Sequence, residues 1–415
     1  MFWPYSVRMR SLLALLLAGA VVSGSAQSTP AIHRLDGKTV SQDEAILTSF
    51  HELVKDHVTG AQIAILNRGK VVWTYAYGFR DAEHKLPMTT DTNIWAASIT
   101  KPVFATWVMH LVERHQFDLD KPIAQILPRP LNTYEPYKVS GAEIVRDPQW
   151  QRVTPRTLLA HTSGLANFAD LEPDKKLHLH FAPGSRFAYS GEGLNLLQFA
   201  IEETQGSSIS AGMQHDLFAP LGMRHTGMVW RPEFDADAAL RYDAKGGLIG
   251  ATHRDRARGA GSMTTTIDDL GRFTEAFLGS KILAPATRAQ MLTSQVNIRA
   301  AHQFPTLDTA TSEEGAKVGL AYGLGWGLLA KTPYGEAFFK EGHGDGAENY
   351  MICFIRNSTC MILLTNSDNG ELAFRPLLEQ LLGDTVTPWE WEGYTSEAIL
   401  ANSEHSAANQ HGPAK

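Results

Sequence analysis

"WAASITKPVF" (Trp95–Phe104) sets a serine three residues ahead of a lysine, with a proline directly behind. Residues i and i+3 share a helix face, so Ser98 and Lys101 can meet as nucleophile and proton acceptor. The same letters fit a plain helix start, because serine is a favoured N-cap and proline is tolerated in a first turn. Val103, Phe104, Trp107, Val108, Leu111 and Val112 follow as an apolar stripe at helical spacing, so a helix does begin here. The backbone N–H of a residue at that point is one of the unpaired donors at the positive helix end, which an oxyanion could use. Ser-x-x-Lys alone is a weak pattern. Its surroundings must decide.

Upstream, "SQDEAILTSFHELVKDH" carries Ile46, Leu47, Phe50, Leu53 and Val54 at helical spacing, with Ser41 as the cap. "AQIAIL-NRGK-VVWTYAYG" then reads as two strands joined by a turn containing Gly69. From Trp95 to about Gly271 strand signals thin out, and helical pieces alternate with loops rich in Pro and Gly. Strands return in "GLGWGLLA", "EAFFKEG", "NYMICFIR" and "TCMILLTN", and "GELAFRPLLEQLLG" reads as a closing helix. Strands at both ends around a helical middle predict an α/β fold: an antiparallel sheet flanked by helices, with an inserted mainly helical domain. The expected boundaries are 27–92 and 272–394 for the sheet domain and 93–271 for the helical one. Residues 395–415 read as a disordered polar tail.

The chain has 415 residues, 43% of them hydrophobic and 20% charged, which is an ordinary globular composition. Its net charge of -7 argues against nucleic-acid binding, which needs a basic face. Arg8 and Arg10 precede the apolar run "SLLALLLAGAVV" and the small residues "SGSA". Residues 1–26 therefore read as a signal peptide, and the expected location is periplasmic or secreted, with no membrane span once the signal is cut. The two cysteines, Cys353 and Cys360, flank "FIRNST", which reads as a turn between two strands. They could bridge in an oxidising compartment or stay as buried thiols.

The blocks around Ser98 extend the reading. "DTNIWAASITKP", "FDLDKPIAQILP", "VTPRTLLAHTSGL", "LFAPLGMRHTGM", "GAGSMTTTIDDLGRF" and "GHGDG…NY" occur in that order. Together the chain resembles the penicillin-recognising serine hydrolases: class C β-lactamases, D-alanyl-D-alanine carboxypeptidases and related esterases. The resemblance runs from about Gly60 to Asn366. It implies the β-lactamase-like fold and an acyl-enzyme formed on Ser98, with Lys101 as proton acceptor and no metal or cofactor.

The family's second motif is a tyrosine, a variable residue and an asparagine. "RFAYSGEGLNLL" matches it at Tyr189 and Ser190, but Gly191 stands where asparagine is common. A phenolate near two cations could relay protons among Ser98, Lys101 and the leaving group. The third motif is Lys-Thr-Gly in β-lactamases and often His-x-Gly in the esterase and peptidase relatives. "EGHGDGAENY" offers His343, Gly344 and Asp345 for it, with Asp345 where a glycine is usual. On that alignment His343 approaches Tyr189, Gly344 and Asp345 line the substrate cleft, and the Gly346 N–H joins that of Ser98 as oxyanion donor. A carboxylate at Asp345 would repel a substrate carboxylate.

These departures favour an esterase or peptidase acting on a small-molecule or peptide-like acyl substrate. A β-lactamase or D-alanyl-D-alanine carboxypeptidase is the alternative within the family. A non-catalytic cell-wall or peptide-binding relative is the alternative outside enzymology, although it has no need of Ser98, Lys101 and Tyr189 together. His178 and His180 have a spacing seen in metal sites but lack a set of partners. His161 reads as a loop brace, and Trp389 and Trp391 alternate as in a strand that covers the sheet.

Overall fold

A computed structural model describes residues 31–55 and 57–395 of the chain. The signal-peptide reading of residues 1–26 lies outside the described residues, as do residues 396–415 of the tail. Ser41 caps the first helix as expected, its side chain accepting from the Glu44 N–H, and the helix runs on through Ile46–Val54. Strands Gly60–Asn67 and Lys70–Asp81 follow. Their two-residue turn has positive φ at Arg68 (52°) and Gly69 (70°), the geometry whose twist suits a tight hairpin.

That hairpin belongs to a nine-stranded sheet, every neighbouring pair antiparallel. From one edge the order is Val296–Asn297, Leu320–Tyr322, Gly327–Leu329, Ala337–Gly344, Ala347–Phe354, Thr359–Thr365, Gly60–Asn67, Lys70–Asp81 and Leu86–Pro87. The early strand Gly60–Asn67 therefore lies against the late strand Thr359–Thr365, with Ile63 facing Leu363.

Side chains alternate across the sheet, as the two-residue period requires. Ala61, Ile63 and Ile65 join a core with Phe50, Val54, Leu377 and Leu381, so the N- and C-terminal helices cover this face. Ala64 and Leu66 point the other way, into a core with Val103, Phe104, Phe273 and Phe277. Burial on both faces makes Gly60–Asn67, Ala347–Phe354 and Thr359–Thr365 apolar almost throughout.

Between the strand groups run the helices Thr100–Glu113, Gly191–Gln205 and Ile267–Leu278, with shorter turns and two-stranded pairings. Cys353 and Cys360 occupy directly paired positions in the last hairpin and are joined as a disulfide. Trp389–Glu392 is a helical turn, not the strand that its alternating tryptophans suggest. No helix among the described residues is long and apolar enough to cross a membrane.

Candidate active site

The nucleophile candidate sits on a turn held from several sides. Ile94–Trp95 pairs with Thr264–Thr265, and the Ala96 N–H donates to the Met263 carbonyl at 2.9 Å. The chain then bends through Ala97, whose φ of 45° lies in the left-handed region that costs a non-glycine residue roughly 1–2 kcal/mol. Thr100 Oγ1 fixes the bend, donating to the Ala97 carbonyl at 2.6 Å and accepting from the Met263 N–H at 3.1 Å. The turn Ala97–Ile99 runs directly into helix Thr100–Glu113. Ser98 caps nothing: its Oγ accepts a hydrogen bond from Lys101 Nζ at 2.9 Å. Lys101 is buried, and its second acceptor is the Ala260 carbonyl at 2.6 Å.

Tyr189 arrives in the extended segment before helix Gly191–Gln205. Ser190 caps that helix, accepting from the Gly193 N–H and donating to the Ala166 carbonyl. His161 supports the segment from below: its Nδ1 accepts from the Ser190 N–H at 3.1 Å, and its ring lies 4.5 Å from that of Tyr189. Burial, with Lys101 and Lys340 nearby, holds this imidazole neutral, well below its usual range. The loop-bracing role read from sequence matches that geometry.

Two ammonium groups flank the Tyr189 ring, Lys101 Nζ at 4.9 Å and Lys340 Nζ at 4.8 Å. Lys340 is the residue that the sequence reading passes over. The family resemblance puts His343 beside Tyr189, but Lys340 holds that place, three residues upstream on strand Ala337–Gly344. Gly342 then lies against the nucleophile turn, so close that a Cβ there would meet the Ala96 carbonyl oxygen at 2.6 Å and the Ile99 nitrogen at 3.1 Å. The segment that faces Ser98 is thus Lys340-Glu341-Gly342, which has the spacing of Lys-Thr-Gly. The cue is present in "FFKEG", a lysine inside an apolar strand two residues before a glycine.

Electrostatics sort the three groups. Burial pushes the Lys101 ammonium below its ordinary range; Tyr189 resists this and Lys340 adds to it. Burial alone would raise the Tyr189 phenol, but Lys101 and Lys340 together outweigh it and bring the hydroxyl below its usual value. Burial also opposes charge on Lys340, yet Glu341 and Tyr189 more than offset it and keep that ammonium protonated. Glu341 forms a buried ion pair with Lys340 at 2.5 Å and accepts from Gln303 Nε2 at 2.8 Å. Lys340 is the fixed cation, and Lys101 and Tyr189 are the groups prepared to hold or release a proton.

The other third-motif candidates fall elsewhere. His343 Nδ1 lies 2.8 Å from both Glu348 Oε2 and Glu371 Oε1, its ring open to the cleft. Glu348 leads the effects that raise this imidazole well above its usual range. Gly344 does not touch substrate space; it lets the Trp95 ring pack on the strand, where a Cβ would sit 2.3 Å from it. Asp345 is exposed and gives its carbonyl to Arg241. The Gly346 N–H is already engaged, donating to the Asp368 carboxylate, so it is not a free oxyanion donor. Gly191 makes room for Phe168, whose ring a Cβ would meet at 2.6 Å, and its N–H donates to Asn167 Oδ1 at 2.9 Å. No asparagine side chain could enter there without displacing Phe168.

Among the described residues, His343, Glu348 and Glu371 are the cluster close enough to hold a metal ion, their donor atoms all within 4.8 Å. There the imidazole already lies between the two carboxyls. His178 and His180 each turn Nε2 to a separate carboxylate, Asp174 and Glu172.

Ser98, Lys101, Tyr189 and His343 open into one cleft of about 1210 Å³. Its walls add residues that no local motif announces: Phe304, whose ring lies 5.5 Å from that of Tyr189, and Trp391 and Glu392 from the C-terminal turn. Asn195 also reaches the cleft, with its buried Oδ1 lacking a partner.

The Beta-lactamase family model matches residues 44–383. Esterase EstB of Burkholderia gladioli is 30% identical over 227 residues, covering 47% of this chain and 55% of the esterase. The chain thus spans about half the length of that relative. Among solved structures, the D-alanine carboxypeptidase AmpC from Burkholderia cenocepacia superposes with a TM-score of 0.64 at 20% identity, covering 82% of this chain and 98% of that one. An octameric penicillin-binding protein homologue from Pyrococcus abyssi gives 0.63 at 22% identity, over 80% and 76%. At these identities the two structures speak for the fold alone.

Proposed function

Because this chain belongs to the Beta-lactamase family, we propose that it is a serine hydrolase that opens esters or amides through an acyl-enzyme on Ser98. The observation that carries the reading is the 2.9 Å hydrogen bond from Lys101 to Ser98 Oγ, made by a buried lysine whose proton is loosely held. The Ser98 proton passes to the basic pair formed by Lys101 and Tyr189, in which one member is deprotonated as neutral amine or phenolate, and Oγ then forms the new bond to the carbonyl carbon. The oxyanion is held by the Ser98 N–H and by the N–H of His343, the residue that follows Lys340-Glu341-Gly342. This replaces the Gly346 donor. Collapse expels the leaving group, which takes its proton from Tyr189. Water then repeats the sequence on the acyl ester and releases the acid.

Glu341 favours esterase or peptidase work over β-lactam hydrolysis. It stands where Lys-Thr-Gly has a hydroxyl, and, paired with Lys340, it offers no O–H to hold the anionic group of a β-lactam. Lys340 fills the lysine position, so slow turnover of a β-lactam such as nitrocefin fits the same site.

Export is part of the proposal. It rests on the N-terminal pattern of residues 1–26 and on the Cys353–Cys360 disulfide, which persists in oxidising compartments.

The test labels the purified protein with a fluorescent fluorophosphonate and follows 4-nitrophenyl butyrate hydrolysis. Wild type should be labelled on Ser98, and Ser98→Ala should lose label and at least about 10³-fold in kcat. A folded Ser98→Ala protein that keeps its rate would end the reading.

A further inference from the structure

The cleft holds two cations that the chemistry at Ser98 does not use. Arg254 and Arg258 both line it, beside Trp95 and Gly261. The Arg254 guanidinium lies 4.2 Å from the centre of the Trp95 ring, and Trp95 is itself fixed by its Nε1–H, which donates to the Gly261 carbonyl at 2.6 Å. Among the described residues neither arginine forms an ion pair; Glu192 acts on Arg258 only through its field, and Arg254 Nε is buried without an acceptor.

The charges around Arg254 are of its own sign. Burial, Arg241 and Arg258 all act against its protonated form, and no acid opposes them. Arg241, by contrast, has the Asp345 carbonyl as an acceptor and the fields of Asp345 and Asp368. A half-buried guanidinium facing two others needs an anion, because a desolvated cation without a partner is costly. Arginine's planar fork suits a carboxylate or phosphate best. Of the other acids lining the cleft, Glu341 is paired with Lys340, Glu371 with His343, and Glu392 accepts from the Tyr350 hydroxyl, while Glu390 is exposed.

We propose that Arg254, with Arg258 beside it, binds an anionic group of the substrate, so the acyl compound opened at Ser98 carries a carboxylate or similar anion. The proposal rests on the hydrolase reading above and adds its substrate class. It places the anion beside Trp95, at the Arg254 guanidinium. The aromatic rings of Phe168 and Phe304 leave an apolar stretch for the part of the molecule that is not charged.

The experiment compares two esters of equal carbon count, 4-nitrophenyl pentanoate and mono-4-nitrophenyl glutarate. Wild type should favour the glutarate ester in kcat/KM by about 10-fold or more, the scale of one charge-assisted contact. Arg254→Met should erase that ratio, chiefly through KM for the glutarate ester, and Arg258→Met, at an exposed position, should reduce it in part. A wild-type ratio of one or less, or a ratio that survives both substitutions, overturns the proposal. If neither ester is cleaved, fluorophosphonate labelling judges the hydrolase reading separately. Calorimetric titration of wild type with glutarate then decides the subsite: saturable binding lost in Arg254→Met supports it, and absence of binding overturns it.

Discussion

Lys340 changes what Lys101 can do. A lysine at physiological pH is a poor base, and here burial loosens its proton while a second ammonium across the Tyr189 ring adds repulsion. The same second charge lowers the phenol. Replacing the Lys340–Glu341 pair by methionine and glutamine removes that cation without stranding its carboxylate. Lys340 favours deprotonation of both Lys101 and Tyr189, and Glu341 opposes it less strongly, so both values rise when the pair is lost. The acid limb of the kcat/KM profile should therefore move to higher pH by about one unit or more, with kcat down roughly 10²-fold. An unmoved limb would show that Lys340 only fills space.

The strand Ala337–Gly344 earns its position through a missing side chain. Gly342 lets it press on the turn of Ala96 and Ile99, which keeps Ser98 aligned with Lys340 and the His343 amide. Gly342→Ala should push strand and turn apart by a few tenths of an ångström or more, costing roughly 10²-fold in kcat, because small misplacements are costly in a preorganised site. Circular dichroism should remain that of the wild type. An active Gly342→Ala protein would remove this strand from the catalytic argument.

At this scale it is also clear what sequence can and cannot disclose. The capped first helix, the Arg68-Gly69 hairpin and the last three strands of the sheet are legible, because each carries its own period or turn chemistry. Val296–Asn297 and Leu320–Tyr322 are too short for a period to register. Ser98 and Lys101 are offered by local spacing and, with Tyr189, are singled out by the family resemblance. The third motif slips by three residues because "KEG" and "HGD" both fit a short pattern, and only the contact with Ala96 and Ile99 separates them. Arg254, Phe304 and Trp391 are brought to the cleft by tertiary folding alone, and no local pattern marks them.

Over the whole molecule, several carboxyls are buried. Burial, with Glu341 nearby, raises Glu392 well above its ordinary range, and the Tyr350 hydroxyl donates to it at 3.0 Å. Glu348 is raised in the same direction, again chiefly by burial. A carboxyl whose folded value lies above the unfolded one contributes stability that is complete below the unfolded pKa, near 4.5, and is lost as pH rises through the folded value. Glu392→Gln cannot ionise. Its stability relative to wild type should improve as pH rises above 4.5, by at most about 1.4 kcal/mol per unit until the folded value is reached. Urea unfolding at pH 5 and pH 8 measures this, and parallel curves for the two proteins would refute it.

The pairing of Gly60–Asn67 with Thr359–Thr365 has a further consequence for the living chain. Its early hairpin waits with an open edge until the ribosome has delivered nearly the last strand. Ser98, Tyr189, Lys340 and Trp391 are likewise spread over almost three hundred residues of synthesis. A polypeptide still emerging from the ribosome therefore has no assembled Ser98–Lys101–Lys340 cluster, and on the proposed function it would stay inert until its last strand has joined the sheet.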